Sequence, residues 1–136
     1  MKKYSCLFVL LVLCTGNLWA QPSGKKLEEQ IRQYWFVMLT RGNNRTQDSA
    51  TSVKIQEQHL ANINRLYEEG KIKVAGPFGD NGNWRGLFIF DCPTKEEVEK
   101  LLQTDPAVSS GRLAYEIHPW WTAPTGSFVP GKPKKE

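Results

Sequence analysis

The chain has 136 residues, of which 24% are charged and 40% are hydrophobic, and its formal net charge is +4. This length suits one domain, and an aromatic content of 11% excludes a disordered chain. The excess positive charge lies near the two ends, since residues 25–124 carry 13 basic and 13 acidic side chains. The composition therefore does not predict a nucleic-acid-binding surface.

The first 20 residues have the layout of a secretory signal peptide. Two lysines precede an apolar run at residues 6–14, and a short polar break leads to Ala20, after which we expect cleavage. The run is shorter than the roughly 20 apolar residues of a membrane-spanning helix. We predict an exported protein, periplasmic or secreted, whose mature form is not in the membrane. A retained anchor, either a lipid at Cys14 or the apolar helix itself, is the alternative.

The rest of the chain divides into a linker (21–32), one domain (33–122) and a flexible basic tail (123–136). Proline and glycine are frequent in the tail and occur in the linker. Loss of the leader makes Cys92 the single thiol of the mature chain, which excludes an intrachain disulfide. The neighbouring Asp91 supplies neither a base nor positive charge, so we predict that Cys92 is a packing residue.

The first half of the domain predicts a strand, a long helix and a second strand. An aromatic and β-branched run at residues 34–39 predicts the first strand. Ser49 or Thr51 is the predicted cap of a helix that Gly70 ends. A short strand at residues 73–78 follows. The predicted apolar stripe of the helix is Val53, Leu60, Ile63 and Tyr67, with Ile55 and Leu66 at its edge.

The second half predicts a hairpin, a helix and a final strand. The Asn81-Gly82 turn leads into a strand at residues 86–90. Thr94 caps a second helix, with Glu97 completing a capping box, and residues 113–120 form the last strand. The order β-α-β-β-α-β predicts an α+β, ferredoxin-like fold with both helices on one face of a four-stranded antiparallel sheet.

Both faces of the predicted sheet are apolar. A half-exposed sheet normally alternates apolar and polar side chains, and a large apolar patch marks an interaction surface. We therefore predict a homodimer closed through the sheet faces. In the first strand the two alternating sets are Tyr34, Phe36 and Met38, and Trp35, Val37 and Leu39.

Two polar residues are candidates for chemistry. His59 lies on the margin of the predicted helical stripe, where a half-buried histidine bonded to a backbone carbonyl is the alternative to a functional one. Asp105 precedes Pro106, a pattern that favours a helix N-cap over a site residue. No His, Cys and carboxylate cluster has zinc spacing, and the glycine-rich segment 76–82 leads into a strand rather than a helix. We predict neither a metal nor a nucleotide cofactor.

The chain resembles the YCII-related (YciI-like) proteins, a family of the dimeric α/β barrel superfamily, over about residues 33–121. This resemblance implies a ferredoxin-like fold, dimerisation as an α/β barrel, and an active site built on a histidine and an aspartate, here His59 and Asp105. The leader and the long loop from Arg41 to Ala50 depart from the common pattern. The matching segments are His59-Leu60, 66–71, 75–77, 86–90, 104–106 and 116–120.

Four further residues are candidates for binding a substrate. Phe78 and Trp84 flank the hairpin turn and are candidates for the mouth of a pocket. Arg41 and Arg85 carry the charge to hold a carboxylate or a phenolate.

The leading hypothesis is an exported, cofactor-independent acid–base enzyme of lyase or isomerase type that acts on a small organic molecule through His59 and Asp105. Asp105 would fix the tautomer of the imidazole and stabilise its protonated form. The alternative is a non-catalytic ligand-binding or accessory protein of the same fold, and a third hypothesis is a cofactor-free oxygenase. A separation above about 6 Å between the two side chains, with both sealed from solvent, would favour the non-catalytic hypothesis.

Overall fold

The computed structural model describes residues 26–122. The predicted leader (1–20), residues 21–25 of the predicted linker and the whole predicted tail (123–136) lie outside the described residues. The described part of the predicted linker holds one turn of 3₁₀ helix at Leu27–Gln30 and the first residue of β1.

Four strands and three helices follow this turn. The three strand pairings are antiparallel, and the strand order is β2-β3-β1-β4. The predicted α+β, ferredoxin-like arrangement is therefore confirmed, with the short α3 as an additional element. The elements are β1 (Arg32–Arg41), α1 (Ser49–Glu68), β2 (Ile72–Pro77), β3 (Trp84–Phe90), α2 (Lys95–Gln103), α3 (Pro106–Ser109) and β4 (Leu113–Thr122).

The hydrophobic core lies between the sheet and the helices. Val37 and Phe88 are paired across β1 and β3, so their side chains share the face that the helices cover. Most of the core side chains are aliphatic or aromatic and come from strands β1, β2 and β3 and from helices α1 and α2. The buried core cluster is Val37, Leu39, Leu66, Ile72, Phe88, Phe90, Cys92, Val98 and Leu102.

The N-cap of helix α1 lies one residue before the first predicted position. Asp48 is the N-cap, because its carboxylate accepts a 2.7 Å hydrogen bond from the backbone N–H of Thr51. The predicted cap at Ser49 or Thr51 is therefore wrong. The predicted end is correct: Gly70 has a φ of +71°, a left-handed conformation that glycine adopts without the steric cost of a Cβ.

The buried face of α1 is rotated from the predicted stripe. Two of its four buried positions carry polar side chains, which hydrophobic periodicity does not count. Asn62 is satisfied there, since its Oδ1 accepts hydrogen bonds from Arg65 (2.8 Å) and Thr104 (3.1 Å). The buried residues are Ile55, His59, Asn62 and Leu66. Three residues of the predicted stripe are more than half exposed instead: Val53, Leu60 and Tyr67.

Helix α2 has the predicted cap but only half of the predicted capping box. Thr94 Oγ1 accepts a 3.2 Å hydrogen bond from the backbone N–H of Glu97. The carboxylate of Glu97 is engaged by Lys71, at 2.7 Å, rather than with the cap. This ion pair joins the residue that precedes β2 to helix α2. No helix within residues 26–122 is long and apolar enough to cross a membrane.

Cys92 is 8% exposed and packs in the core, as expected of a packing residue. Burial raises the pKa of its thiol to about 11, with a further increase from the carboxylates of Glu97 and Asp91 and an opposing effect from Lys71. The protonated thiol is not a nucleophile.

We expect Cys92 to react very slowly with a thiol-labelling disulfide reagent. At pH 8 a pKa near 11 leaves about one thiol in a thousand ionised, and the residue is shielded from solvent. In a C6S/C14S variant of the full chain, labelling should rise at least about 100-fold on addition of denaturant. Equal labelling of the folded and unfolded chains would contradict this burial.

Candidate active site

His59 and Asp105 form a buried pair between α1 and the start of α3. His59 Nδ1 and Asp105 Oδ2 are 2.6 Å apart, although 46 residues separate them in the chain. The residues are only 9% and 1% exposed, respectively. A hydrogen bond of this length between a buried imidazole and a carboxylate orients the ring.

Local structure positions the carboxylate of Asp105. Asp105 is the N-cap of α3, where its Oδ1 accepts a 2.9 Å hydrogen bond from the backbone N–H of Ala107. Pro106 occupies the first turn of the helix, as expected for this pattern. The cap uses one oxygen and the pair with His59 uses the other. Both sequence interpretations of Asp105, as a helix cap and as the partner of His59, therefore hold together.

His59 lies at the wall of a cavity of about 380 Å³ between α1 and the sheet. Its ring is 6.3 Å from that of Phe88, measured between centroids. Since Nδ1 is engaged by Asp105, Nε2 is the ring nitrogen left for a bound molecule. The apolar part of the cavity lining is Leu39, Leu60, Ile63, Ala75, Pro77, Phe88, Ala107 and Leu113.

Three arginines line the same cavity: Arg45, Arg85 and Arg112. Arg85 was a sequence candidate, and it lies at an irregularity of β3. The register steps from Leu39 opposite Gly86 to Thr40 opposite Trp84, so Arg85 is the extra residue of a β-bulge. A bulge changes the direction of a side chain relative to regular alternation.

Arg45 and Arg112 were not found by sequence reasoning, because each lies in a loop. The loop after β1 is fastened to the segment before β4 by backbone hydrogen bonds from Gly42 to Arg112 (3.0 Å) and from Asn44 to Gly111 (3.1 Å). A Cβ on Gly42 would be 2.2 Å from the carbonyl oxygen of Gly111, so only glycine permits this approach. The fastening brings Arg45 beside Arg112.

The other sequence candidates lie outside the cavity lining. Phe78 and Trp84 contact each other, with ring centroids 6.0 Å apart, and Trp84 is 57% exposed. Arg41 ends β1, where its backbone N–H donates to Asn83. Its charge still acts near the cavity, since it contributes to the lowered pKa of Arg45. Within residues 26–122 no group of three or more His, Cys, Asp or Glu residues is arranged to hold a metal ion.

Comparison with protein families identifies the domain. The YCII-related domain matches residues 34–121, which is most of the described chain. The chain belongs to the YCII-related family. YjpA of Bacillus subtilis strain 168 is 30% identical over 91 residues, which cover 64% of this chain and 94% of YjpA.

A solved structure shows the same fold. Muconolactone isomerase aligns with a TM-score of 0.55 at 16% identity, over 73% of this chain and 99% of that protein. The 5-chloro-2-hydroxyhydroquinone dehydrochlorinase TftG of Burkholderia phenoliruptrix AC1100, solved with 2,5-dihydroxybenzoquinone, aligns with a TM-score of 0.49 at 21% identity. That alignment covers 63% of this chain and 92% of TftG.

Proposed function

We propose that this YCII-related protein is an acid–base enzyme that moves a proton on a small organic molecule bound in the cavity. The observation that carries this proposal is the 2.6 Å contact between His59 Nδ1 and Asp105 Oδ2 at the cavity wall. It is far shorter than the separation of about 6 Å above which two such groups cease to act as a pair.

The pair defines which nitrogen of His59 acts as the base. An ionised carboxylate only accepts hydrogen bonds, so the neutral imidazole carries its proton on Nδ1 and its lone pair on Nε2. Nε2 takes a proton from the substrate, and the Asp105 carboxylate stabilises the positive charge that develops on the ring. Return of that proton to another carbon of the substrate completes an isomerisation. In an elimination the bond to a leaving group on the neighbouring carbon breaks instead, and the departing group takes up the proton. These steps use no cofactor.

The test is deuterium incorporation from D₂O, followed by ¹H NMR. The panel contains small lactones, β-keto acids and cyclic ketones, since each has an acidic C–H bond beside a carbonyl. It includes muconolactone, because muconolactone isomerase has this fold. We expect the wild-type chain to accelerate the loss of a C–H signal in at least one member. A positioned general base contributes about 10²–10⁴-fold.

His59→Asn is the matched variant, because the asparagine amide reproduces the Nδ1–H donor to Asp105 and lacks Nε2. We expect it to fold and to lose the acceleration. Wild-type exchange rates in His59→Asn would refute the role of Nε2. A panel member that binds without any exchange would favour the alternative, a non-catalytic ligand-binding protein.

We also propose that the sheet face opposite the helices closes a homodimer. This face carries Tyr34, Phe36 and Met38 of β1, and Trp120 of β4 packs beside Tyr34 with ring centroids 6.4 Å apart. Trp120 is 42% exposed in the single chain, and a large apolar face of this kind favours a partner. Light scattering should give twice the chain mass for the wild type and the chain mass for Trp120→Glu. A monomeric wild type would contradict the dimer.

Export is a third proposal, supported by the sequence of the leader. A chain expressed in a bacterial host with its own leader should be recovered outside the cytoplasm. The mass of the recovered chain should equal that of a chain beginning at Gln21. Recovery of the chain from the cytoplasm with its first residues intact would contradict export.

A further inference from the structure

The cavity that contains His59 is strongly positive. Arg45, Arg85 and Arg112 line it, and within residues 26–122 no aspartate or glutamate is part of that lining. The three side chains come from a loop, a β-bulge and the residue before β4, so separate parts of the chain bring like charges together. Such convergence is unfavourable unless a counter-charge is present.

Arg45 and Arg112 donate hydrogen bonds to neutral acceptors. Arg45 Nη1 donates to the carbonyl oxygen of Arg112, and Arg112 Nη1 donates to Gln47 Oε1, each at 3.3 Å. Each of these bonds uses one of the five N–H donors of a guanidinium. Several donors of each group therefore stay available to a ligand.

Other arginines of the domain behave differently. Arg32 is paired with Asp91 and Arg65 with Glu69, each at 2.7 Å. In the described part of the chain, no carboxylate lies within 4 Å of the guanidinium nitrogens of the three arginines that line the cavity or of Arg41. The arginines without a carboxylate partner are therefore those at the cavity and its edge.

The electrostatic consequence is visible at Arg45. Slight desolvation of this exposed side chain lowers the pKa of its guanidinium, and the neighbouring charges of Arg112, Arg41 and Arg85 lower it further. A bound anion would offset this repulsion and replace it with charge-assisted hydrogen bonds.

The remainder of the cavity indicates what carries the anionic group. Leu39, Ile63 and Phe88 are among the apolar side chains that line it, and its volume is about 380 Å³. An inorganic anion would leave these apolar walls without a partner, whereas an organic molecule of one ring fills them. Guanidinium groups bind planar carboxylates through two parallel hydrogen bonds.

We propose that the substrate of the His59–Asp105 centre is a small organic carboxylate, whose carboxylate binds Arg45, Arg85 and Arg112 while its apolar body faces Phe88. That the ligand is a substrate rests on the proposed function. That the ligand carries a carboxylate rests on the three arginines alone. The arginines orient the molecule so that a C–H bond lies near Nε2 of His59.

The experiment measures binding and needs no turnover. Acetate, benzoate and cinnamate are titrated into the full chain by NMR at fixed ionic strength, each beside its neutral amide. We expect at least one carboxylate to bind saturably and about tenfold or more tightly than its amide, since hydrogen bonds to a charged group are the stronger ones. Arg85→Gln and Arg45→Gln should each weaken that binding about tenfold or more. The exposed position of Arg45 makes its variant the safer one for folding.

Arg32→Gln is the matched control, because it removes the same charge at the opposite end of β1 and should leave the affinity unchanged within about twofold. The inference is overturned if no carboxylate binds, if the amides bind equally well, or if Arg32→Gln weakens binding as much as Arg85→Gln.

This result is separable from the test of proton transfer. Suppose that carboxylates bind through the arginines but no carboxylate-bearing carbon acid exchanges deuterium. The ligand class would then stand, and the catalytic role of His59 would be refuted. Exchange in neutral molecules only, with no carboxylate binding, would retain the enzyme and overturn the ligand class. His59→Asn should bind the carboxylate with wild-type affinity within about threefold, since the arginines are unchanged.

Discussion

Replacing Asp105 with asparagine should lower the rate of His59-dependent proton transfer by about 10²–10⁴-fold while the domain stays folded. The amide oxygen can still accept from the backbone N–H of Ala107, so the cap of α3 is retained. The amide nitrogen, however, donates to Nδ1 where the carboxylate accepted from it. The imidazole then carries its proton on Nε2, and the nitrogen that faces the substrate has no lone pair.

The measurement is the deuterium-exchange rate of the panel member that the wild type acts on, with urea unfolding of the same variant beside it. Asp105→Asn should keep its free energy of unfolding within about 1.5 kcal/mol of the wild type, because both hydrogen bonds still have partners. Unchanged exchange in a folded Asp105→Asn chain would show that Asp105 does not set the tautomer that the mechanism needs.

Replacing Asp105 with alanine should lower the free energy of unfolding by about 1.5–5 kcal/mol. Loss of the cap on Ala107 costs about 0.5–2 kcal/mol. Loss of the acceptor for Nδ1–H leaves a polar group of His59 buried without a partner, which costs a further 1–3 kcal/mol or so. Asp105 is 1% exposed, so water cannot replace the carboxylate without movement of the surrounding chain.

Thr94→Ala is the control for this prediction, because Thr94 also caps a helix but is exposed and has no buried partner comparable to His59. It should cost only the loss of the cap, about 0.5–2 kcal/mol. The difference between the two variants, measured by urea unfolding, estimates the part that the pair with His59 contributes. Equal losses in Asp105→Ala and Thr94→Ala would indicate that the pair adds no stability.

The strands and helix caps of the fold could be predicted because each is determined by residues that are adjacent in the sequence. The aromatic run of β1, Gly70 and the cap at Thr94 each depend on a few adjacent residues, and the order of elements then limits the topology. The buried face of α1 could not be read in this way. His59 and Asn62 are buried because residues about 40 positions later satisfy their polar groups, and no hydrophobic period encodes that.

The site residues also divide into those that could be predicted from the sequence and those that could not. Resemblance to a family indicated His59 and Asp105. The residues alone left His59 open between a packed and a functional histidine, and they favoured a helix cap for Asp105. Arg45 and Arg112 were missed because hydrogen bonds from Gly42 and Asn44 bring two loops together, which no spacing in the sequence expresses. One signal was present: residues 41–47 contain two arginines and no acidic residue.

The tautomer of His59 tests the account most directly, because it requires no substrate. In ¹⁵N-histidine-labelled chain at pH 8.5, with His118 identified through a His118→Gln variant, ¹⁵N NMR distinguishes a protonated ring nitrogen from an unprotonated one. We predict a proton on Nδ1 and none on Nε2 of His59 in the wild type, and the reverse in Asp105→Asn. A proton on Nε2 of the wild-type ring would contradict the role of His59 as the base.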